Sequence, residues 1–206
     1  MELQEELSSL SDSTEVEKYV WTFIWGQQRF SSSKYYHYQF QNVQPERSVI
    51  WIWKTKCVPK IKFFGWLLLV DRLNTRNMLK RRKKFLQEGY HCVLCQDGVE
   101  EIAEHLFFQC TSAASRWFAL GITWDEHSNI HQKLYLARNE FRQPFFMDIF
   151  LIGAWCLWNE GNDYIFKNKP PSIVAWKASV KYTVTSHLIR IKQCYHNSIL
   201  LWLEAL

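Results

Sequence analysis

The sequence has no apolar run long enough to cross a bilayer, and it has no export signal. Its most apolar stretch, residues 145–158, contains Asp148 and falls short of the roughly 20 residues that a membrane-spanning helix needs. The first ten residues, MELQEELSSL, are acidic instead of apolar. We therefore expect an intracellular protein with reduced thiols and no membrane partner, and we expect residues 145–158 to form a buried helix.

Catalytic motifs are also missing. Glycine is scarce, at 7 of 206 residues, and forms no phosphate-binding loop, and no serine stands in a G-x-S-x-G pattern. An independent enzyme would need such a motif, a nucleophile paired with a base, or a metal ion with an open position. We therefore predict that the protein is not an enzyme.

Strand-like alternation is rare and no internal repeat is found, whereas helical spacing of apolar residues recurs. Only residues 21–25, with Trp21, Phe23 and Trp25 on one face, suggest a short strand. Residues 121–143 are polar and suggest an irregular segment. Helices are predicted after a cap at residues 31–33, at 49–56, from Pro59, from Asn74 or Thr75 through 86, at 100–110 and 114–120, from Pro144 towards Phe166, and over 172–203. The predicted fold class is mainly α.

Two of the predicted helices indicate which face should meet a core. In the helix from Pro59, the residues at helical spacing are Phe63, Trp66, Leu67 and Val70. The last helix carries an apolar stripe of Ile173, Trp176, Val180, Val184, Leu188 and Ile191. The aromatic pair Phe107 and Phe108 is expected in the core as well.

The charge is unevenly distributed. The net charge is +5, but residues 1–20 carry six acidic side chains against Lys18, a local charge of −5. Residues 47–90 carry twelve lysines and arginines against Asp71 and Glu88, a local charge of +10, and the run KRRKK at 80–84 is the densest part. An acidic start followed by a basic middle predicts an anionic partner for the middle.

Three of the six cysteines lie in CVLCQDGVEEIAEHLFFQC, residues 92–110. Two residues separate Cys92 from Cys95, so a tight turn can point both sulfurs at one ion. About one helical turn separates His105 from Cys110, which brings the last ligand back. Three thiolates and an imidazole form the closed tetrahedral set of a structural zinc site, and thiolates favour zinc over magnesium or calcium. We predict one structural Zn²⁺ with no open position for water.

Other interpretations of these residues stay open at this point. The four side chains could meet by chance or pack as small apolar groups, and His91, next to Cys92, is a rival ligand. The other cysteines, Cys57, Cys156 and Cys194, lie in apolar helical contexts, and we expect them to be buried thiols.

The stretch at 92–110 resembles the reverse-transcriptase zinc-binding domain of plant non-LTR (LINE-type) retrotransposon polyproteins. The family has a Cys-x-x-Cys turn, an acidic loop, and a segment ending His-Leu-Phe-Phe-x-Cys, where Ile102 stands in place of the usual threonine. YVWTFIWGQQRFSSSKYY and WIWKTKCVPKIKFFGWLLLVDRLNTRNMLKRR resemble upstream landmarks of the family in the same order. WCLWNEGNDYIF resembles a downstream Trp-x-x-Arg-Asn segment, with Glu160 and Gly161 where an arginine is usual. The resemblance covers about residues 19–170.

This resemblance implies that the zinc ligands are Cys92, Cys95, His105 and Cys110. It places a zinc-binding domain at 19–120, between a flexible acidic tail at 1–18 and a helical C-terminal extension at 121–206. The polymerase is not implied, because the sequence has neither an aromatic-x-Asp-Asp palm motif nor a recognisable RNase H site. The chain thus resembles a non-catalytic remnant of a retroelement.

The basic run is the candidate for nucleic-acid binding. The cations proposed to contact RNA or DNA, without strong sequence preference, are Arg72, Arg76, Lys80, Arg81, Arg82, Lys83 and Lys84. Phe85, Tyr90 and Trp117 are candidates for stacking on bases. KRRKK is also typical of a nuclear localisation signal, so we expect the nucleus, with the cytoplasm as the alternative.

The alternative function is structural. Zinc would then only stabilise a helical domain that packs against a reverse-transcriptase core or another protein through its aromatic-rich surface. KRRKK would be a solvated helix face, partly masked by the acidic loop at 97–104.

Overall fold

The computed structural model describes residues 22–24 and 26–206. They fall into two units, one ending at Gln44 and one from Pro45 to Leu206. The acidic tail predicted at 1–18 lies outside the described residues, as do Trp21 and Trp25 of the predicted strand.

The described part of the first unit contains one helix, α1, at Ser32–Gln39. Ser31 caps it, as predicted, because its hydroxyl accepts the amide proton of Lys34 at 3.4 Å. The side chains of α1 are exposed, and the ring of Tyr36 stacks on that of Phe40 with centroids 6.1 Å apart. The helix is therefore held by its cap and by local ring contacts.

The second unit is built from helices. Its α-helices are α2 (Arg47–Lys54), α3 (Pro59–Leu69), α4 (Arg76–Arg81), α5 (Thr111–Ala119), α6 (Ile130–Phe141), α7 (Phe146–Lys167), α8 (Ile173–His187) and α9 (His196–Ala205). A π-helical turn occupies His105–Gln109, and 3₁₀ turns occupy Leu188–Arg190 and Gln193–Tyr195. Across the described ranges no β-strand occurs, only an isolated bridge between His91 and Glu100. The predicted fold class, mainly α, is confirmed.

Helix α7 lies at the centre of the second unit. Its 22 residues pack against α2, α3, α6 and α8. Most of its apolar first half is buried, which confirms the buried helix predicted at 145–158. Asp148, within that stretch, accepts the backbone amide proton of Lys56 at 2.7 Å, and burial raises the pKa of its carboxyl group. Within the part of the chain that the structure describes, no helix is both long enough and apolar enough to span a membrane.

Helix α3 turns a different face to the core from the one that its spacing predicts. Its buried residues are Ile61, Phe64, Gly65, Leu68 and Leu69. The predicted core residues are instead half-buried (Trp66, Leu67) or exposed (Phe63 at 53%, Val70 at 38%). The prediction fails because α3 is apolar on nearly every side. Gly65 decides the face, since a Cβ there would collide with Leu151 of α7.

Residues 121–143, predicted to be irregular, contain α6. Asn129 begins this helix with a capping box: its side chain accepts the amide protons of His131 and Gln132, and the Gln132 side chain accepts that of Asn129. The prediction missed the helix because the polar composition outweighed this short capping pattern.

The last predicted helix, 172–203, is two helices separated by two 3₁₀ turns. Trp176, Val180 and Val184 are buried as predicted, whereas Ile173 is exposed, and Leu188 and Ile191 are half-buried. The imidazole of His196 contacts the carbonyl of Ile191 at 3.0 Å, and the amide of Val58 donates to His187 Nε2 at 3.2 Å. The first contact satisfies a backbone carbonyl within the break, and the second joins the end of α8 to the start of α3.

Two neighbouring phenylalanines test the corrected face of α3. Phe64→Ala removes a side chain that is 3% exposed, so we expect the free energy of unfolding to fall by about 3–5 kcal/mol. The matched change Phe63→Ala removes a side chain that is 53% exposed, and it should cost less than about 1 kcal/mol. Denaturant unfolding of both variants measures this. Equal losses would contradict the assigned face.

Candidate metal centre

The first two cysteines lie on a short loop whose ends are held together by backbone hydrogen bonds. The amide of Cys92 donates to the carbonyl of Val99, and that of Glu101 donates to the carbonyl of Tyr90, each at 2.8 Å. Gly98 makes the return with a φ of 65°, a conformation that favours glycine. The loop therefore places Cys92 and Cys95 next to the segment that carries the remaining predicted ligands.

The other two ligands lie at the two ends of the π-helical turn His105–Gln109. The amide of Cys110 donates to the carbonyl of His105 at 2.7 Å, an i→i+5 bond. Residues five apart in an α-helix point about 140° away from each other, because each residue turns the chain by about 100°. The wider π turn reduces that angle. The predicted return of Cys110 to the side of His105 is confirmed, and the turn that makes it is π-helical.

The four predicted ligands meet at one point. Their ligand atoms, three Sγ atoms and one ring nitrogen, all lie within 4.8 Å of one another. The sulfurs of Cys92 and Cys110 are 3.9 Å apart, and Cys95 Sγ lies 3.4 Å from His105 Nε2. Tetrahedral zinc with bonds of about 2.3 Å to sulfur and about 2.0 Å to nitrogen requires separations of about 3.8 and 3.5 Å. The cluster can therefore hold a metal ion. Its 3.9 Å sulfur separation is far longer than the roughly 2.05 Å of a disulfide.

The surroundings of the cluster shift the pKa values of its three thiols in opposite directions. Cys92, His105 and Cys110 are buried, and Cys95 is half-buried. A hydrogen bond from Cys92 lowers the pKa of the Cys110 thiol, and the amides of Ala113 and Ser112 at the start of α5 lower it further. The same hydrogen bond, together with burial, raises the pKa of Cys92. Burial also raises the pKa of Cys95, so Cys110 is the thiol of the three whose pKa shifts towards the thiolate, the form that binds metal.

Outside the cluster, the remaining histidine and cysteine predictions have mixed outcomes. His91 is exposed, and its Nδ1 lies 2.7 Å from the carbonyl oxygen of Gly98, so it does not belong to the cluster. Cys57 and Cys156 are buried as predicted, and burial raises the pKa of both thiols, that of Cys156 to about 12. Cys194 is exposed, so that prediction is wrong. It lies in a 3₁₀ turn where the last predicted helix is interrupted.

A buried lysine of α6 supports the metal segment, and the sequence interpretation missed it. Lys133 is 2% exposed, and its ammonium group lies 3.1 Å from the carboxylate of Glu104, next to His105. It also donates to the carbonyl oxygens of Glu126 and Ser128. The capping pattern of α6 could have revealed the helix, but nothing in the sequence pairs Lys133 with Glu104.

Helix α7 supports the cluster from another side. Glu160 forms a buried two-point ion pair with Arg116 of α5, at 2.8 and 2.9 Å, and also accepts the amide proton of Ser172 at 2.7 Å. Gly161 lies against the side chains of Val93 and Leu94, between the first two cysteines. Glu160 and Gly161 thus occupy positions that join α5, α7 and the cysteine loop.

The predicted nucleic-acid residues do not form one continuous helical face. Arg76 is 8% exposed, and its guanidinium group bonds to the carbonyl of Gly89 and the carboxylate of Glu88, each at 3.2 Å. Its backbone amide donates to the Glu101 carboxylate at 3.1 Å, and burial raises the pKa of that carboxyl group. Arg76 therefore fastens the start of α4 to the cysteine loop.

Helix α4 ends earlier than predicted. Thr75 caps it as predicted, but the helix stops at Arg81 instead of continuing to residue 86. Lys83 adopts a left-handed φ of 56°, and the amides of Lys83 and Lys84 donate to the carbonyls of Lys80 and Leu79 at 2.9 Å. This bonding pattern is a Schellman motif, which ends helices. Like charges four residues apart, such as those of Lys80 and Lys84, destabilise a helix. Glu88, four residues after Lys84, pairs with Arg76 instead.

Residues 80–84, which we name the basic turn, are all exposed. Lys80 and Arg81 form surface ion pairs with Glu100 at 3.0 Å and Asp71 at 2.6 Å. Arg82 donates to the neutral side chain of Asn74, which leaves its charge uncompensated. Arg72 is also exposed. The acidic loop thus reaches the basic turn through Glu100, while Arg82, Lys83 and Lys84 project from the end of the helix.

The segment that carries the cluster is similar to a known protein family. Residues 30–117 match the family model described as zinc-binding in reverse transcriptase. This segment contains all four clustered ligands, so the predicted resemblance to a reverse-transcriptase zinc-binding domain is confirmed over these residues. No curated protein and no solved structure matches the chain.

Proposed function

We propose that the protein is a non-catalytic zinc-binding module, derived from a LINE-type retroelement, that contacts RNA or DNA through the basic turn. One observation carries the metal part of the proposal: a Cys₃His set lies within 4.8 Å in a segment that matches a zinc-binding family. Four protein ligands fill a tetrahedral shell, so zinc would have no open position for a reacting water.

The proposed role of zinc is structural. The four ligands come from two short stretches, the cysteine loop and the π turn, and neither stretch contains a regular α-helix of its own. A bound ion would join them directly, and the binding free energy of a structural zinc then contributes to folding. Charged supports at Arg116, Lys133 and Glu160 would hold the surrounding helices in the geometry that the ligands need.

Metal quantification by mass spectrometry tests the zinc site. We expect one zinc per chain in the purified protein, and we expect Cys95→Ser and His105→Ala to lose it because each removes a ligand. Cys194→Ser and His91→Ala remove the same residue types outside the cluster, so they are matched controls that should retain zinc. Chelation should lower the thermal midpoint of the wild type. A wild type without zinc, or ligand variants that retain full occupancy, would contradict the site.

The nucleic-acid part of the proposal rests on charge and exposure. The basic turn presents five cations, and residues 47–90 carry a local net charge of +10. The ion pairs of Lys80 and Arg81 are exposed, and such pairs contribute at most about 1 kcal/mol, so phosphates can replace the carboxylates. An exposed KRRKK run also suits nuclear import, so we propose a nuclear location.

A second candidate function is protein interaction, with zinc only stabilising the fold. Large exposed apolar side chains favour it, among them Phe118 on α5 and Phe166 at the end of α7, at 77% and 78% exposure. Such a surface fits a reverse-transcriptase core or another protein partner.

A salt titration separates the two functions. We expect a mixed-sequence oligonucleotide to bind at low salt, with affinity that falls steeply as salt rises, because phosphate contacts release counterions. Charge reversal of Arg82, Lys83 and Lys84 to Glu should abolish binding. The same reversal of Lys169, Arg190 and Lys192, which are also exposed, changes the net charge equally and should retain most of it. No binding at low salt would favour the protein-interaction function.

A further inference from the structure

Phe85, Tyr90 and Trp117 are the sequence candidates for stacking on bases, and they differ in exposure in the structure. Trp117 is 1% exposed, and its indole N–H donates to the carbonyl of Phe107, so its ring is part of the core. Tyr90 is half-buried, its hydroxyl donates to the carbonyl of Lys84, and the Lys80 ammonium lies 5.4 Å from its ring centroid. Phe85 is 86% exposed. Only Phe85 of the three has an open ring face.

The backbone around Phe85 is fixed on both sides. Before it, the Schellman motif holds Lys84 through its amide bond to Leu79, and the Tyr90 hydroxyl holds the carbonyl of Lys84 at 2.9 Å. After it, the amide of Gly89 donates to the carbonyl of Leu86 at 3.1 Å. Because the backbone on both sides of Phe85 is already hydrogen-bonded, little backbone entropy is lost when a ligand covers its ring.

The charges next to Phe85 select the kind of ligand. Arg82, Lys83 and Lys84 precede it directly, and all three are exposed. A phosphate backbone can follow these cations while a base covers the ring. Bases in a duplex are already stacked on their neighbours, whereas an unpaired base offers a whole face to an aromatic side chain.

We propose that Phe85 stacks on one unpaired base of a single-stranded RNA or DNA whose backbone follows Arg82, Lys83 and Lys84. This inference rests on the proposed nucleic-acid contact and adds its substrate class, single strands instead of duplexes. Stacking on Phe85 is independent of sequence because every base has a π face, which agrees with a module that has no strong sequence preference.

The test uses the full zinc-bound chain and oligonucleotides of about 12 nucleotides, as single-stranded RNA, single-stranded DNA and a DNA duplex, with one 2-aminopurine in each. Phe85→Leu removes the ring and keeps the apolar volume, and it should weaken single-strand binding about ten-fold and remove the stacking-induced quenching of 2-aminopurine. Phe85→Trp should retain both. Phe118→Leu, a matched exposed aromatic on α5, should have no effect.

A second pair of variants separates stacking from charge. Lys83→Gln with Lys84→Gln should reduce the salt slope of single-strand binding by about 1.4, because two phosphate contacts are lost, whereas Phe85→Leu should leave that slope and duplex binding unchanged. Salt-dependent binding that Phe85→Leu does not weaken would overturn the stacking role and leave the proposed function intact. A wild type that binds no oligonucleotide at low salt would overturn both.

Discussion

The hydrogen bond from the amide of Cys110 to the carbonyl of His105 is the constraint on which the metal centre depends. It makes the turn π-helical, so two residues that an α-helix would point apart come to one side. Cys110 is also the residue before α5, and the amides of Ser112 and Ala113 in that helix lower the pKa of its thiol. One local bond thus sets the direction of two ligands and the start of the next helix. That helix buries Trp117, whose indole donates back to the π turn at Phe107.

The metal segment is part of a core that extends along the chain on both sides of residue 120. Phe107 and Phe108 contact rings of α3 and α7, and Lys133 and Glu160 hold the segment from α6 and α7. One hydrophobic core contains buried residues from 52 to 203. The division at residue 120 into a zinc-binding domain and a helical C-terminal extension stays a prediction. Zinc at the cluster would hold the cysteine loop and the π turn against helices that are formed by residues beyond 120.

The sequence was sufficient for the features that depend on local chemistry. The ligand set follows from residue types and spacing, and the caps at Ser31 and Thr75 follow from hydroxyls before helical patterns. The sequence was insufficient where a contact between residues far apart in the chain determines which side chain is buried. Gly65 matters for the buried face of α3 because Leu151 lies opposite, and the ammonium group of buried Lys133 meets the Glu104 carboxylate and two backbone carbonyls. The end of α4 at Arg81 was also missed, because the sequence interpretation continued the helix through five consecutive cations.

The proposed contact of the basic turn and Phe85 with single-stranded nucleic acid requires the neighbouring cysteine loop to be folded. The most direct test of the account is X-ray absorption at the zinc edge, on protein purified without a histidine tag. The account predicts a first shell of three sulfurs at about 2.3 Å and one nitrogen at about 2.0 Å. A shell dominated by oxygen or nitrogen, or one with fewer than three sulfurs, would contradict it.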